Sequence, residues 1–279
     1  MESIYKNTTR FSDLDTQRHV NNIVYENLAE SGRISLLSES GWTLEKLLGE
    51  EIHFRPVKCF VSFTEQQTMG TEIITKTKLF PQSDGKLHYS TLISNTTSTK
   101  TACQIEFLFE PRKKNKKFVV FENLSEKAPF EFEKVKKFSG SCSQISFIHT
   151  PNLSERNIFG VLPGASYWRI FEESRWDFMS KLGITFDLIK KQNSTMFYMG
   201  GTFHFQKEIP AGEKLKIYTW IDRIDKIWVY MRQDAFSEKN KDLLMSTNGR
   251  FLIVSVDKAR PKKADEPLIN LYKKYTENK

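Results

Sequence analysis

Between residues 23 and 37 the apolar positions Ile23, Leu28, Ile34 and Leu37 recur among polar ones at roughly helical spacing. That pattern predicts a helix of about four turns, with Asn21 or Asn22 as its N-cap and Gly41 as its stop. Residues 165–182 repeat it, preceded by Pro163 and Gly164 and ended by Gly183. After each helix the period drops to two. Alternating or densely apolar runs at 58–64, 72–80, 87–94 and 100–109, and again at 196–205, 215–224, 227–235 and 243–256, read as antiparallel strands joined by short polar turns. One further strand is expected before each helix, near 5–11 and 144–150.

The two halves match at a fixed offset of 142 positions. Tyr25, Glu30 and Arg33 correspond to Tyr167, Glu172 and Arg175, and Gly41, Phe63 and Gly70 to Gly183, Phe205 and Gly212. A period this long is domain duplication, not a short solenoid repeat. The expected organisation is one copy at 1–110, a connector at 111–141 and a second copy at 142–279, each an α+β unit with a sheet around one helix. The pairs Glu30/Arg33 and Glu172/Arg175 read as local helix ion pairs, and Trp168, Phe171, Trp176 and Phe178 as helix core and interface.

Composition agrees with a globular chain: 279 residues, 39% hydrophobic and 27% charged. No apolar run is long enough to span a bilayer and the start, MESIYKNTTR, lacks the apolar core of a signal peptide, so a cytoplasmic protein is expected. Cys59, Cys103 and Cys142 are odd in number and widely spaced, which predicts buried, reduced thiols instead of disulfides or a metal site. A net charge of +8 favours an anionic partner. Its densest cluster, residues 112–117 (RKKNKK), has neither periodicity nor interleaved aromatics, so it predicts a solvated connector and no nucleic-acid site.

Chemistry concentrates at residues 13–22, DLDTQRHVNN, directly before the first helix. Unpaired N–H groups and the positive end of the helix dipole lie there, ready to polarise a carbonyl or hold an oxyanion. Asp15 could deprotonate water, His19 could orient it or shuttle a proton, and backbone N–H groups around Asn21, Asn22 and Ile23 could receive the oxyanion. Asp and Asn at such a position are also ordinary caps, and Asp13 is expected to be structural, bonding to turn backbone. In the second copy the offset sets Glu155, Asn157 and Val161 opposite Asp13, Asp15 and His19, so activity is expected from the first copy alone. Neither a G-x-S-x-G elbow, a P-loop nor a dinucleotide fingerprint occurs.

The string DLDTQRHVNN, followed by a helix containing Tyr25, closely resembles the motif of the acyl-ACP thioesterases and their acyl-CoA relatives of the 4-hydroxybenzoyl-CoA type. That resemblance implies two tandem hotdog units and thioester hydrolysis without metal or cofactor. Acyl-CoA or acyl carrier protein would be the partner, and two chains could form a homodimer. It casts Asp15 as nucleophile or general base and His19 as the family histidine, while Gln17 stands where the plant-type enzymes carry asparagine. The family's downstream glutamate falls near Glu65, Gln66 or Gln67. The plant-type enzymes carry the motif in their second half, and this chain carries it in its first. Two alternatives stay open: a non-catalytic acyl-CoA or acyl-ACP binding or scaffolding protein, and a hotdog hydratase or dehydratase. The latter is suggested by the Pro163-Gly164 helix start but lacks the required histidine.

Overall fold

A computed structural model describes every residue except Asn115, Asn123, Asn278 and Lys279. The chain forms two compact units, one from Met1–Glu133 with Leu153–Trp168 and one from Lys134–Asn152 with Arg169–Lys279.

The first unit contains β1 (Glu2–Thr8), α1 (Asn22–Glu39), α2 (Leu44–Gly49), β2 (Ile52–Phe63), β3 (Glu72–Pro81), β4 (Leu87–Asn95), β5 (Thr101–Lys113) and the short β6 (Lys116–Lys117). Its strands run antiparallel in the order β1-β3-β4-β5-β2, and α1 packs across β1, β3, β4 and β5. Leu36 and Leu37 of α1 join Leu79, Leu87, Tyr89 and Val120 in one buried cluster. The second unit contains β7 (Ile145–His149), most of α3 (Gly164–Lys181), α4 (Phe186–Gln192), β8 (Thr195–Phe205), β9 (Leu215–Asp225), β10 (Trp228–Ser237), β11 (Leu243–Val254) and α5 (Glu266–Lys273). Its order, β7-β9-β10-β11-β8, is that of the first unit with each strand replaced by its repeat partner. Phe178 of α3 is fully buried against Ile221, Val229, Met231 and Ile253 of that sheet. The α+β class, with a sheet wrapped on one long helix in each unit, is therefore observed.

Close approach of α1 to its sheet depends on Gly32. A Cβ there would lie 2.6 Å from Thr77 Oγ1 and 3.4 Å from Thr75 Cγ2. Thr77 is fully buried and β-branched, and so has little room to give. We expect Gly32→Ala to destabilise the protein by about 1–3 kcal/mol through overpacking, read as a lowered urea midpoint at constant slope.

Several expectations are corrected. β2 begins at Ile52, six residues before the expected start, because a register shift between Pro56 and Lys58 lets the strand pass a residue with no N–H to donate. The basic cluster is solvated at Lys114, Lys116 and Lys117, but it also carries strand: β5 runs to Lys113 and pairs with β6. Arg112, Lys113, Lys114 and Lys117 pair with Glu110, Glu50, Glu51 and Glu110. Asn115 of that cluster and Asn123 of the connector lie outside the described residues. Cys59 and Cys103 are buried, but Cys142 is only half-buried. Trp176 is 49% exposed, with its ring tilted against Phe186, so it is not core.

Candidate active site

The motif folds as a tight hairpin leading into α1. Leu14 and Val20 form an isolated antiparallel bridge. The Asp15 N–H donates to the His19 carbonyl at 2.8 Å and the Arg18 N–H to the Asp15 carbonyl at 3.1 Å, with Arg18 left-handed at φ 67°. The Asp15 side chain closes the turn itself, its Oδ1 accepting from the N–H groups of Gln17 at 2.8 Å and His19 at 3.1 Å. Asn21 is the N-cap, its Oδ1 accepting from the Ile23 N–H at 2.9 Å. Asp13 is structural as expected, taking the Arg10 N–H at 2.8 Å and the Arg10 guanidinium at 3.0 Å.

These bonds narrow the oxyanion candidates. The Asn21 N–H is given to the Asp13 carbonyl at 2.8 Å and the Ile23 N–H to the cap. Among the described residues, Asn22 is the one of the three whose N–H the turn does not use. Asp15, His19 and Asn22 are half-buried, and Gln17 is exposed at the hairpin tip.

The three downstream candidates separate cleanly. Gln66 is exposed. Gln67 is buried and holds the hairpin down, its carbonyl accepting the Val20 N–H at 2.8 Å. Its side-chain Oε1 accepts from Asn95 Nδ2 at 2.7 Å, and its Nε2 donates to Glu65 Oε2 at 2.9 Å. Glu65 is half-buried and also accepts from Ser98 Oγ at 3.1 Å. A residue with no site role assigned from the sequence also lies here: Tyr25, buried on the first turn of α1 with its ring edge-on to Phe63 at 5.4 Å. Burial, then the charges of Cys103, Glu65 and Asp15, push its phenol pKa up, opposed by the Gln67 backbone N–H. Its hydroxyl therefore stays protonated. The exact repeat of Tyr25 at Tyr167 was the available signal; nothing local pointed to Asn95 or Ser98.

The second copy forms the same turn with different chemistry. The Asn157 N–H donates to the Val161 carbonyl at 2.9 Å and the Gly160 N–H to the Asn157 carbonyl at 2.9 Å, with Gly160 left-handed like Arg18. Asn157 Oδ1 accepts from the N–H groups of Phe159 at 3.1 Å and Val161 at 3.4 Å. An amide thus does everything the hairpin needs from Asp15.

Behind the helix start lies a buried ion pair. Glu26 Oε1 accepts from Arg33 Nη2 at 2.5 Å, and Glu26 is fully buried, so Arg33 pairs two turns back and not with Glu30 as expected. The guanidinium also lies over the rings of Phe107 and Phe109. Burial raises the Glu26 pKa to about 7 even against the pull of Arg33. Arg175, the repeat partner, lies over Tyr198 and Phe251 and donates to Gln233 Oε1 at 3.2 Å instead.

Residues 152–270 match the model of the thioesterase-like superfamily. No curated protein matches the chain in sequence. Among solved structures, an acyl-ACP thioesterase from Bacteroides thetaiotaomicron superposes with a TM-score of 0.67 at 12% identity, covering 90% of this chain and 97% of that one. The 12:0-ACP thioesterase from Umbellularia californica gives 0.68 at 11% identity, covering 94% of each. This is a double hotdog. The family match falls on the hotdog copy that carries Asn157, and the Asp15 turn lies in the other. Among the described residues of the double hotdog, no cluster of three or more His, Cys, Asp and Glu could hold a metal. No described helix is long and apolar enough to cross a membrane.

Proposed function

We propose that the protein is a cytoplasmic acyl thioester hydrolase with one working site per chain, at the Asp15 turn. The observation that carries this reading is Asn157. The same turn closes on a neutral amide through the same two bonds, at 3.1 and 3.4 Å against 2.8 and 3.1 Å, so the negative charge of Asp15 is not a requirement of folding and is available for chemistry.

Asp15 uses Oδ1 to close the turn, which leaves Oδ2 to act. As a general base it takes a proton from water while the water oxygen attacks the acyl carbon; as a nucleophile it would form an anhydride that water then opens. The carbonyl oxygen becomes an oxyanion facing the Asn22 N–H and the positive end of α1. The C–S bond then breaks and the thiolate leaves with a proton that His19 passes on. Gln17 at the tip orients the incoming thioester. Glu65, fixed by Gln67 and Ser98, and the protonated Tyr25 hydroxyl set the field in which Asp15 works. The reaction calls for neither metal nor cofactor.

The substrate is an acyl-CoA or acyl-ACP of fatty acid metabolism, since a net charge of +8 suits either anionic carrier and two similar folds are named as ACP thioesterases. The test is free-thiol release from a panel of acyl-CoA and acyl-ACP substrates of increasing chain length. Hydrolysis of at least one series is expected. Saturable binding with no thiol released from any of them would instead identify a non-catalytic acyl-binding protein.

A further inference from the structure

The altered turn of the second copy closes over a cavity of about 60 Å³ within the first unit. Ile34 and Leu37 of α1 line one side, and Val161 and Leu162, from the stretch leading into α3, line another. Asn157 is at its edge, in the place Asp15 holds in the first copy.

Tyr89 also lines this cavity. It is 2% exposed, and its hydroxyl has no hydrogen-bond partner among the described residues. A buried hydroxyl left without a partner is costly, and native structures rarely leave one so. Burial pushes its pKa up against the opposing charge of Arg33, so the group is a neutral O–H donor awaiting an acceptor.

The wall chemistry narrows that acceptor. Arg33 reaches the cavity but is already held by Glu26, and a second carboxylate, Glu30, lines the same space. A carboxylate ligand would therefore meet the Glu30 carboxylate and a base already occupied by Glu26, whereas a neutral carbonyl escapes that repulsion and can take the Tyr89 donor. The volume sets the length. It is well below the roughly 150 Å³ apolar cavity that takes up benzene, so it accepts a chain end of a few carbons. We propose that this cavity is a second, non-hydrolytic ligand site for a short apolar group bearing one neutral carbonyl, anchored on the Tyr89 hydroxyl. With Asn157 in place of a carboxylate, the turn itself supplies neither base nor nucleophile to that carbonyl.

The test is a titration of the full chain, with ¹³C-labelled Ile, Leu and Val methyl groups, by the small ketone acetone, compared with acetate. Saturable shifts of the Ile34, Leu37, Val161 and Leu162 methyls are expected with the ketone, and weaker binding with acetate. Tyr89→Phe should loosen the ketone by about two- to tenfold, the loss of one neutral hydrogen bond. Val161→Phe, which fills the space, should abolish the shifts. Cavity methyls that do not respond, or a Tyr89→Phe protein that binds as tightly, would overturn the second site. Ile23, at the Asp15 turn, reports the first site separately. Its response alone would overturn the second site and leave the hydrolytic reading standing, whereas shifts of the cavity methyls alone support the second site whatever Asp15 does.

Discussion

Glu26→Ala is expected to destabilise the protein by about 3–5 kcal/mol, because removing one member of a buried pair leaves the other as an uncompensated charge. Arg33 is 5% exposed and cannot shed its proton. Its remaining contacts are the faces of Phe107 and Phe109, worth a fraction of what is lost. Glu26→Gln should cost much less, since an amide oxygen still accepts from the guanidinium. The same pair fixes a sign for pH. The folded pKa of Glu26, about 7, lies above its ordinary 4.5. This group's contribution is then full below about pH 4.5 and is lost as pH rises through 7. Urea melts of the three proteins at pH 5 and pH 8 check both points. Wild type should lose stability toward pH 8 from this group, and Glu26→Gln should lack that slope. A Glu26→Ala protein as stable as wild type would show that the pair is not holding α1 to its sheet.

The alternation of apolar and polar residues predicted both long helices to within a few residues, and it found each long strand, because one face of each sheet is buried and a two-residue period survives there. It failed where length or backbone chemistry intervened. α2 and α4, at six and seven residues, are too short to show a 3.6 period. β2 was cut short because Pro56 reads as a break, while the strand passes it with a bulge. Arg33 was paired with Glu30 because spacing alone cannot weigh burial, whereas seven residues return Glu26 to the same inward face of α1. At the site, the residue types of the Asp15 turn were legible, and so was the loss of Asp and His from the second copy. Hidden were the closing of the turn by Asp15 itself, the burial of Gln67 and the approach of Asn95 and Ser98, since these depend on strand register set dozens of residues away.

That closing role makes Asp15→Asn an unusually clean substitution. Simple loss of a capping or turn residue would confuse catalysis with folding. Here the second copy already carries Asn157 in the same hydrogen-bond pattern, so the variant should keep the hairpin, the α1 cap at Asn21 and the melting midpoint. What it removes is one charge and the ability to take a proton or attack a carbonyl. A general base is worth about 10²–10⁴ in rate, and a fall of that size in kcat with little change in KM is the expected signature. Asp15→Ala should be slow as well, but it should also lose stability, because the Gln17 and His19 N–H groups lose their acceptor. His19→Ala should fall between wild type and Asp15→Asn.

The most direct measurement is thiol release from the best acyl thioester of the panel by wild type and Asp15→Asn side by side, with matched circular dichroism and urea midpoints. A drop of about 10²-fold or more in an equally stable variant is the predicted result. Undiminished release by a folded Asp15→Asn protein would contradict a catalytic Asp15 and return that residue to the purely structural role Asn157 plays in the second copy.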